Sequence, residues 1–201
     1  MRGPGLFIGC ATIAALTATA HAQDCDGWVP IGDPGWRQQA GTVFDPVRGV
    51  TVLFGGGRQV GSTGEHIYAD TWTHDGRRWN YIPTAAAPTG KLNPLMSFDP
   101  ASGRVLLHGG RAVNFGTIDT TTWAFDGENW SVFASGGPAT VAGGGVFAYD
   151  PTAGAHWCTQ ATAGAMRLWR LAAGVWTEVL PAEGQSWPGA TSRTRRVRLR
   201  S

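Results

Sequence analysis

The sequence predicts an all-β fold built from three repeats of one small antiparallel sheet. A five-residue phrase, Asp-Pro-x-x-Gly, begins at Asp45, Asp99 and Asp150, at intervals of 54 and 51 residues. A pair of tryptophans seven residues apart follows each phrase: Trp72 and Trp79, Trp123 and Trp130, Trp169 and Trp176. Self-similarity at this period indicates small sheets stacked against one another, because one such unit cannot bury its own apolar faces.

The second repeat shows its four strands most clearly. Residues 95–98 form a short alternating run and predict the first strand. The phrase from Asp99 to Gly103 then reverses the chain, because aspartate bonds to its own backbone, proline fixes φ and glycine tolerates a positive φ. Residues 104–108 return as a second strand, whose apolar middle predicts burial on both faces. Gly109 and Gly110 end that strand.

A polar loop over residues 111–119 separates the inner pair of strands from the outer pair. Residues 120–125 have the β-branched and aromatic content of a third strand. Asp126-Gly127 is a hairpin signal, and residues 130–133 return as the fourth strand. Four antiparallel strands in a unit of about 50 residues describe one blade of a β-propeller.

The first repeat matches the second almost residue for residue, including a double glycine after strand two and an Asp-Gly hairpin before the second tryptophan. In this combination the chain resembles the kelch-repeat β-propellers, particularly their secreted bacterial form, over about residues 40–180. The resemblance implies a non-catalytic module that presents propeller loops to a partner. We interpret the repeated residues as structural: Asp45, Gly49, Gly55, Gly56, Trp72, Trp79, Asp99, Gly103, Gly109, Gly110, Trp123, Trp130, Asp150, Gly154, Trp169 and Trp176.

The repeats predict a partial propeller of three blades, over residues 40–91, 92–142 and 143–186, plus one N-terminal strand within residues 23–39. That strand is expected around Trp28, which precedes Trp79 by 51 residues. The third repeat is degenerate, because Thr159-Gln160 stands in place of the double glycine. Propellers typically have about 4–8 blades, so three blades and a strand do not close a ring. Two copies of the chain would give a six-bladed ring, and we therefore expect a homodimer or a fragment of a longer propeller.

The two ends of the chain carry separate signals. Residues 1–22 have the apolar run and the A-x-A cleavage site of a secretory signal peptide, which predicts a secreted, periplasmic or cell-envelope protein. This run is too short to span a membrane. Residues 187–201 form an arginine-rich tail that we interpret as disordered, with a strand of alternating arginines or an anionic contact as the alternative. A disulfide between Cys25 and Cys158 stays open.

Chemistry-bearing patterns are scarce in this sequence. The formal net charge of +2 gives no reason to expect a nucleic-acid partner. We find no catalytic, metal-binding or cofactor-binding motif, so we expect no enzyme activity, no metal and no cofactor. Loops carry function more often than strands do, and the loops between strands two and three hold the candidate binding residues: Arg58, His66, Arg111, Asn114 and Asp119.

The leading hypothesis is an exported binding or scaffolding module whose loops contact a protein or a glycan. A copper-radical enzyme similar to galactose oxidase is the enzymatic alternative, because such enzymes share kelch-type blades. The likeness would require two tyrosines, two histidines and a cysteine cross-link at one metal, and the tyrosines of this chain are Tyr68, Tyr81 and Tyr149. The third alternative is a non-functional fragment of a longer propeller, which the loss of the repeat after Trp187 favours.

Overall fold

The computed structural model describes residues 32–61, 64–112, 118–140, 145–162 and 165–179. These residues form strands and connecting segments without a helix, which confirms the predicted all-β fold. Within them there is consequently no helix long and apolar enough to cross a membrane. Several features predicted from the sequence lie outside the described residues: the signal peptide, Cys25, the strand around Trp28, Asn114 and the arginine-rich tail.

Three sheets of four antiparallel strands follow one another along the chain. The first sheet consists of β1 (Gly41–Asp45), β2 (Val50–Phe54), β5 (Thr71–His74) and β6 (Trp79–Ile82). Between β2 and β5 the chain forms a separate hairpin of β3 (Gly57–Val60) and β4 (Gly64–Ile67).

The second and third sheets have the same meander, and their described residues form no inserted hairpin. The second consists of β7 (Leu95–Asp99), β8 (Arg104–His108), β9 (Thr122–Phe125) and β10 (Trp130–Ala134). The third consists of β11 (Phe147–Asp150), β12 (Ala155–Thr162), β13 (Ala165–Ala172) and β14 (Val175–Val179).

The Asp-Pro phrase closes the first hairpin of each sheet in the same register. In the second sheet Asp99 pairs with Arg104, and Gly103 between them has a φ of 64°. This left-handed conformation is open to glycine without strain. The carboxylate of Asp99 accepts the backbone N–H and the hydroxyl of Ser102, so the aspartate holds the turn that it begins.

The third repeat keeps this register but loses the loop after its second strand. Counted from Asp150, the positions of the double glycine hold Gln160 and Ala161, so the predicted placement at Thr159-Gln160 is wrong by one residue. Because neither position is glycine, the chain stays extended, and β12 runs to Thr162, which pairs with Ala165 of β13.

The hairpin of β3 and β4 occupies a segment that the sequence predicts to be a loop. Its two backbones approach closely at glycines. A Cβ atom on Gly57 would lie 2.8 Å from the carbonyl oxygen of His66, and one on Gly64 would lie 2.7 Å from that of Val60. The hairpin therefore depends on glycines, which have no side chain. Strands are predicted from alternating apolar side chains, so this hairpin was not predicted.

The second sheet lies between the other two and packs against both. Alternate residues of β8 face opposite ways: Val105 and Leu107 pack in one cluster with Val52 of the first sheet, whereas Leu106 packs in another with Leu171 of the third. The three β8 residues are fully buried, as their apolar run predicts. Removal of this apolar surface from water holds the sheets together.

The innermost strands of the three sheets contact one another in order, β1 with β7 and β7 with β11. Four-stranded sheets that pack face to face, with their first strands along a common side, have the arrangement of blades in a β-propeller. The described chain therefore forms a partial β-propeller, and we call its sheets blades one, two and three.

Candidate functional site

The predicted binding residues lie at the end of the blades where second strands lead into third strands. Arg58 and His66 pair across the β3–β4 hairpin of blade one. Arg111, in the corresponding loop of blade two, forms an ion pair with Glu65 of that hairpin at 3.5 Å. The structure thus brings the two loops together. Because neighbouring residues of a strand point to opposite faces, Arg111 meets the hairpin on the face of Glu65, opposite the face that carries Arg58 and His66. Asn114 lies outside the described residues.

Asp119, which was also predicted as a binding residue, forms an ion pair with Lys91. Its carboxylate lies 2.7 Å from the ammonium of Lys91, which is fully buried. Burial alone would raise the pKa of Asp119, but the hydrogen bonds from Lys91 and from the backbone of Thr121 outweigh it and lower that pKa. Asp119 is therefore committed to an internal ion pair.

A second buried cation repeats this arrangement in blade one. Arg37, whose side chain is 5% exposed, forms an ion pair with Asp70 at 2.6 Å and donates to the carbonyl oxygen of Gly55 at 3.0 Å. Sequence analysis missed both Arg37 and Lys91. A signal was present, because the two residues lie 54 positions apart, the same interval as Asp45 and Asp99.

Arg37 and Asp70 form part of the wall of a groove of about 890 Å³ on the outer face of blade one. The aromatic ring of Tyr68 packs against the Arg37 guanidinium, whose Cζ lies 4.0 Å from the ring centre. The indole of Trp72 donates to Asp70 at 2.7 Å. The groove is lined by Gly32, Pro34, Gly35, Arg37, Tyr68, Asp70, Trp72, Arg78, Trp79, Asn80 and Tyr81.

The groove contrasts with the corresponding face of blade two, which is covered. Trp130 of blade two is 2% exposed and its ring lies 5.2 Å from that of Phe54 in blade one. Trp79, the residue of blade one that corresponds to Trp130, is only partly buried, and Tyr81 beside it is 56% exposed. Within the described residues, no other sheet packs against this face of blade one.

Two tryptophans link neighbouring blades through one repeated hydrogen bond. The indole of Trp130 donates to the hydroxyl of Thr71 in the preceding blade, and the indole of Trp176 donates to Thr122, both at 2.9 Å. The described residues give Trp79 no preceding blade and thus no such threonine. The groove therefore lies on the face of blade one that corresponds to the faces through which blades two and three contact their preceding blades.

Two histidines lie in the contact between blades two and three. His108 is fully buried between Thr122 and the carbonyl of Pro138, and burial lowers its pKa to about 4. His156 is 3% exposed and contacts Ser97 at 3.1 Å and Asp99 at 3.4 Å. Burial lowers its pKa as well, although Asp99 opposes the shift.

Groups able to perform redox or metal chemistry are dispersed. Burial raises the pKa of the Cys158 thiol to about 12, so this thiol stays protonated. Tyr68 and Tyr81 line the groove of blade one, whereas Tyr149 lies on β11 against His156. In the part of the chain that the structure describes, no three His, Cys, Asp or Glu side chains converge as metal ligands.

No family model and no curated protein matches the chain. Among solved structures, the chain is similar to a protein named YjhT, with a TM-score of 0.57 and 15% sequence identity. The match covers 76% of this chain and 54% of YjhT, so this chain spans about half the length of that protein. A likeness at this identity concerns the fold alone, and it agrees with a β-propeller-like arrangement of the three blades.

Proposed function

We propose that the protein is an exported, non-catalytic binding module of the kelch type, and that it binds a glycan or a protein in the groove of blade one. The observation that carries this proposal is the groove itself, a concave surface in which aromatic side chains surround a fixed ion pair. Ligand sites are usually of this kind, mostly apolar with a few converging polar groups. Export rests on the sequence of residues 1–22, and the kelch assignment rests on the repeated phrases.

The side chains of the groove favour a glycan. Trp79 and Tyr81 present flat, partly exposed rings that can cover the apolar face of a sugar. Asn80 and Arg78 also line the groove and supply hydrogen-bonding groups for hydroxyls. Arg37 and Asp70 hold each other at 2.6 Å, so their polar atoms are already positioned before a ligand binds.

The experiment titrates the purified protein with a panel of oligosaccharides and follows tryptophan fluorescence and heat. We expect Trp79→Ala to weaken binding at least about tenfold, equivalent to about 1.4 kcal/mol. Trp36→Ala is the matched control, since Trp36 is 73% exposed and does not line the groove. The glycan proposal fails if no saccharide binds, or if Trp36→Ala weakens binding as much as Trp79→Ala.

A second copy of the chain is the alternative occupant of the groove, because blade one covers the corresponding face of blade two, and blade two covers that of blade three. This occupant would also complete a propeller from two halves. Light scattering would then give twice the mass of one chain, and Trp79→Ala would shift the protein towards the monomer. A monomer at all concentrations would exclude this occupant, and heterogeneous aggregates would favour a fragment of a longer propeller.

A further inference from the structure

Arg48 joins blades one and two at the end where the Asp-Pro turns lie. Its guanidinium lies 2.7 Å from the carboxylate of Asp45 and donates to the carbonyl oxygen of Gly103 at 3.0 Å and to that of Asp126. Gly127 leaves room for the side chain, because a Cβ atom there would collide with Nε of Arg48. The arginine thus fills a recess between two blades.

The corresponding recess between blades two and three is a cavity of about 460 Å³. Ser102 is the residue of blade two that corresponds to Arg48 of blade one, since each lies three residues after the turn aspartate. The Ser102 hydroxyl extends only to Asp99, 2.5 Å away, so the space beyond it is not filled by the residue at this position.

The walls of the cavity correspond to the groups that bind Arg48. Asp99 corresponds to Asp45 and is 6% exposed, so its carboxylate is nearly withdrawn from water. Gly154 and Ala172 occupy the positions of Gly103 and Asp126, and both line the cavity. The recess therefore keeps a carboxylate and two backbone positions that contact a guanidinium one blade earlier. It differs at Ala173, which stands in place of Gly127, and at His156, which contacts Asp99 at 3.4 Å, so a guanidinium here would sit further from the Ala172–Ala173 turn than Arg48 sits from Gly127.

We propose that this cavity is a binding site for a guanidinium group, supplied by a ligand or by an arginine side chain. A guanidinium is planar and always charged, and it donates to a carboxylate and to carbonyl oxygens in fixed directions. Arg48 shows that the blade contact of this protein accommodates such a group beside the turn aspartate.

Arg104 also lines the cavity, and its charge opposes a second cation. Its guanidinium lies 5.5 Å from the ring centre of Phe133, and blade one has Val50 at the corresponding position. The site therefore binds weakly in the native protein, and Arg104→Val should lower the dissociation constant severalfold.

The guanidinium has two sources that share this chemistry. The tail of the same chain contains five arginines within nine residues, which could occupy the cavity from the same molecule: Arg193, Arg195, Arg196, Arg198 and Arg200. A free small molecule is the other source. A full-length variant with these five arginines replaced by glutamine separates the two, because it removes the internal competitor.

The experiment is a titration with ethylguanidinium, followed by the amide NMR signals of Gly154 and Gly174. Ethylurea, which has nearly the same shape and no charge, is the control probe. The control variant combines Ser102→Arg with Ala173→Gly, which restores both residues of the first recess, and Ala173→Gly alone controls for the glycine.

We expect saturable shifts with ethylguanidinium, none with ethylurea, and loss of the shifts in the Ser102→Arg, Ala173→Gly protein but not in the single glycine variant. Shifts in the native protein identify an external guanidinium as the ligand. Shifts confined to the variant without tail arginines identify the tail as the occupant. The proposal is overturned if neither the native protein nor the variant without tail arginines shows saturable shifts with ethylguanidinium. It is also overturned if ethylurea gives the same shifts, or if the Ser102→Arg, Ala173→Gly protein still shows them with ethylguanidinium.

Discussion

His108 shows at the scale of one residue how the repeat changes from blade to blade. Blade one has Phe54 at the corresponding position, packed against Trp130. Blade two has the histidine instead, with its ring nitrogens 3.0 Å from Thr122 and 2.9 Å from the carbonyl oxygen of Pro138. A buried ring that hydrogen-bonds at both nitrogens specifies one partner geometry, whereas phenylalanine only fills space.

This histidine should make the protein sensitive to acid. The pKa of His108 is about 4 in the folded protein, against 6.5 as the ordinary value, so below about pH 6.5 the unfolded chain binds a proton that the folded chain does not. The free energy of unfolding should therefore fall as pH decreases, by about 3 kcal/mol by pH 4 from this residue. His156 contributes in the same direction.

Urea unfolding of the native protein and of His108→Phe, measured from pH 7 to pH 5, checks this expectation. The variant loses two hydrogen bonds and is expected to be less stable at pH 7. Its stability should nevertheless change less with pH than that of the native protein. Equal slopes in the two proteins would show that His108 is accessible to protons in the folded state.

At the scale of the element, local turn chemistry made the strands predictable. Asp-Pro-x-x-Gly and Asp-Gly act through their own backbone, so the hairpins of blades one and two could be placed from the sequence. The β3–β4 hairpin, the buried cation Lys91 and the recess beside Ser102 depend on residues far apart in the chain. A local pattern contains little information about such contacts.

The candidate site was predicted less well than the strands, for the same reason. Arg58 and His66 were predicted on a loop and lie on the β3–β4 hairpin, which Arg111 contacts through Glu65, on the face opposite theirs. The groove of blade one was not predicted, because its tryptophans repeat in the sequence as structural residues. Trp79 is more exposed than Trp130 because, among the described residues, blade one has no neighbour on that side.

The fourth strands of blades two and three each contribute a tryptophan to the contact with the preceding blade. Trp130 is 2% exposed, packs on Phe54 and Phe125, and donates to Thr71. Trp130→Ala should therefore lower the free energy of unfolding by about 3–5 kcal/mol, the usual loss for a buried aromatic side chain. Trp36→Ala should cost much less in the same urea experiment, since Trp36 is 73% exposed. Similar midpoints for the two variants would contradict this packing.

At the scale of the whole molecule, three sheets form one continuous array through two similar contacts. The middle sheet contributes apolar residues to both contacts, and the inner strands follow one another in order. The outer face of blade one carries the same kinds of residues as the covered faces and is open among the described residues. The binding proposed for this face rests on this arrangement of blades.

The central claim is that the three sheets pack as adjacent blades through their aromatic faces. The most direct test is an NMR measurement of nuclear Overhauser contacts from the indole N–H protons of the full-length protein. We expect the Trp130 indole proton to contact Thr71 and the Trp176 indole proton to contact Thr122, since each donor lies 2.9 Å from its acceptor. Indole protons that contact only residues of their own sheet would contradict it.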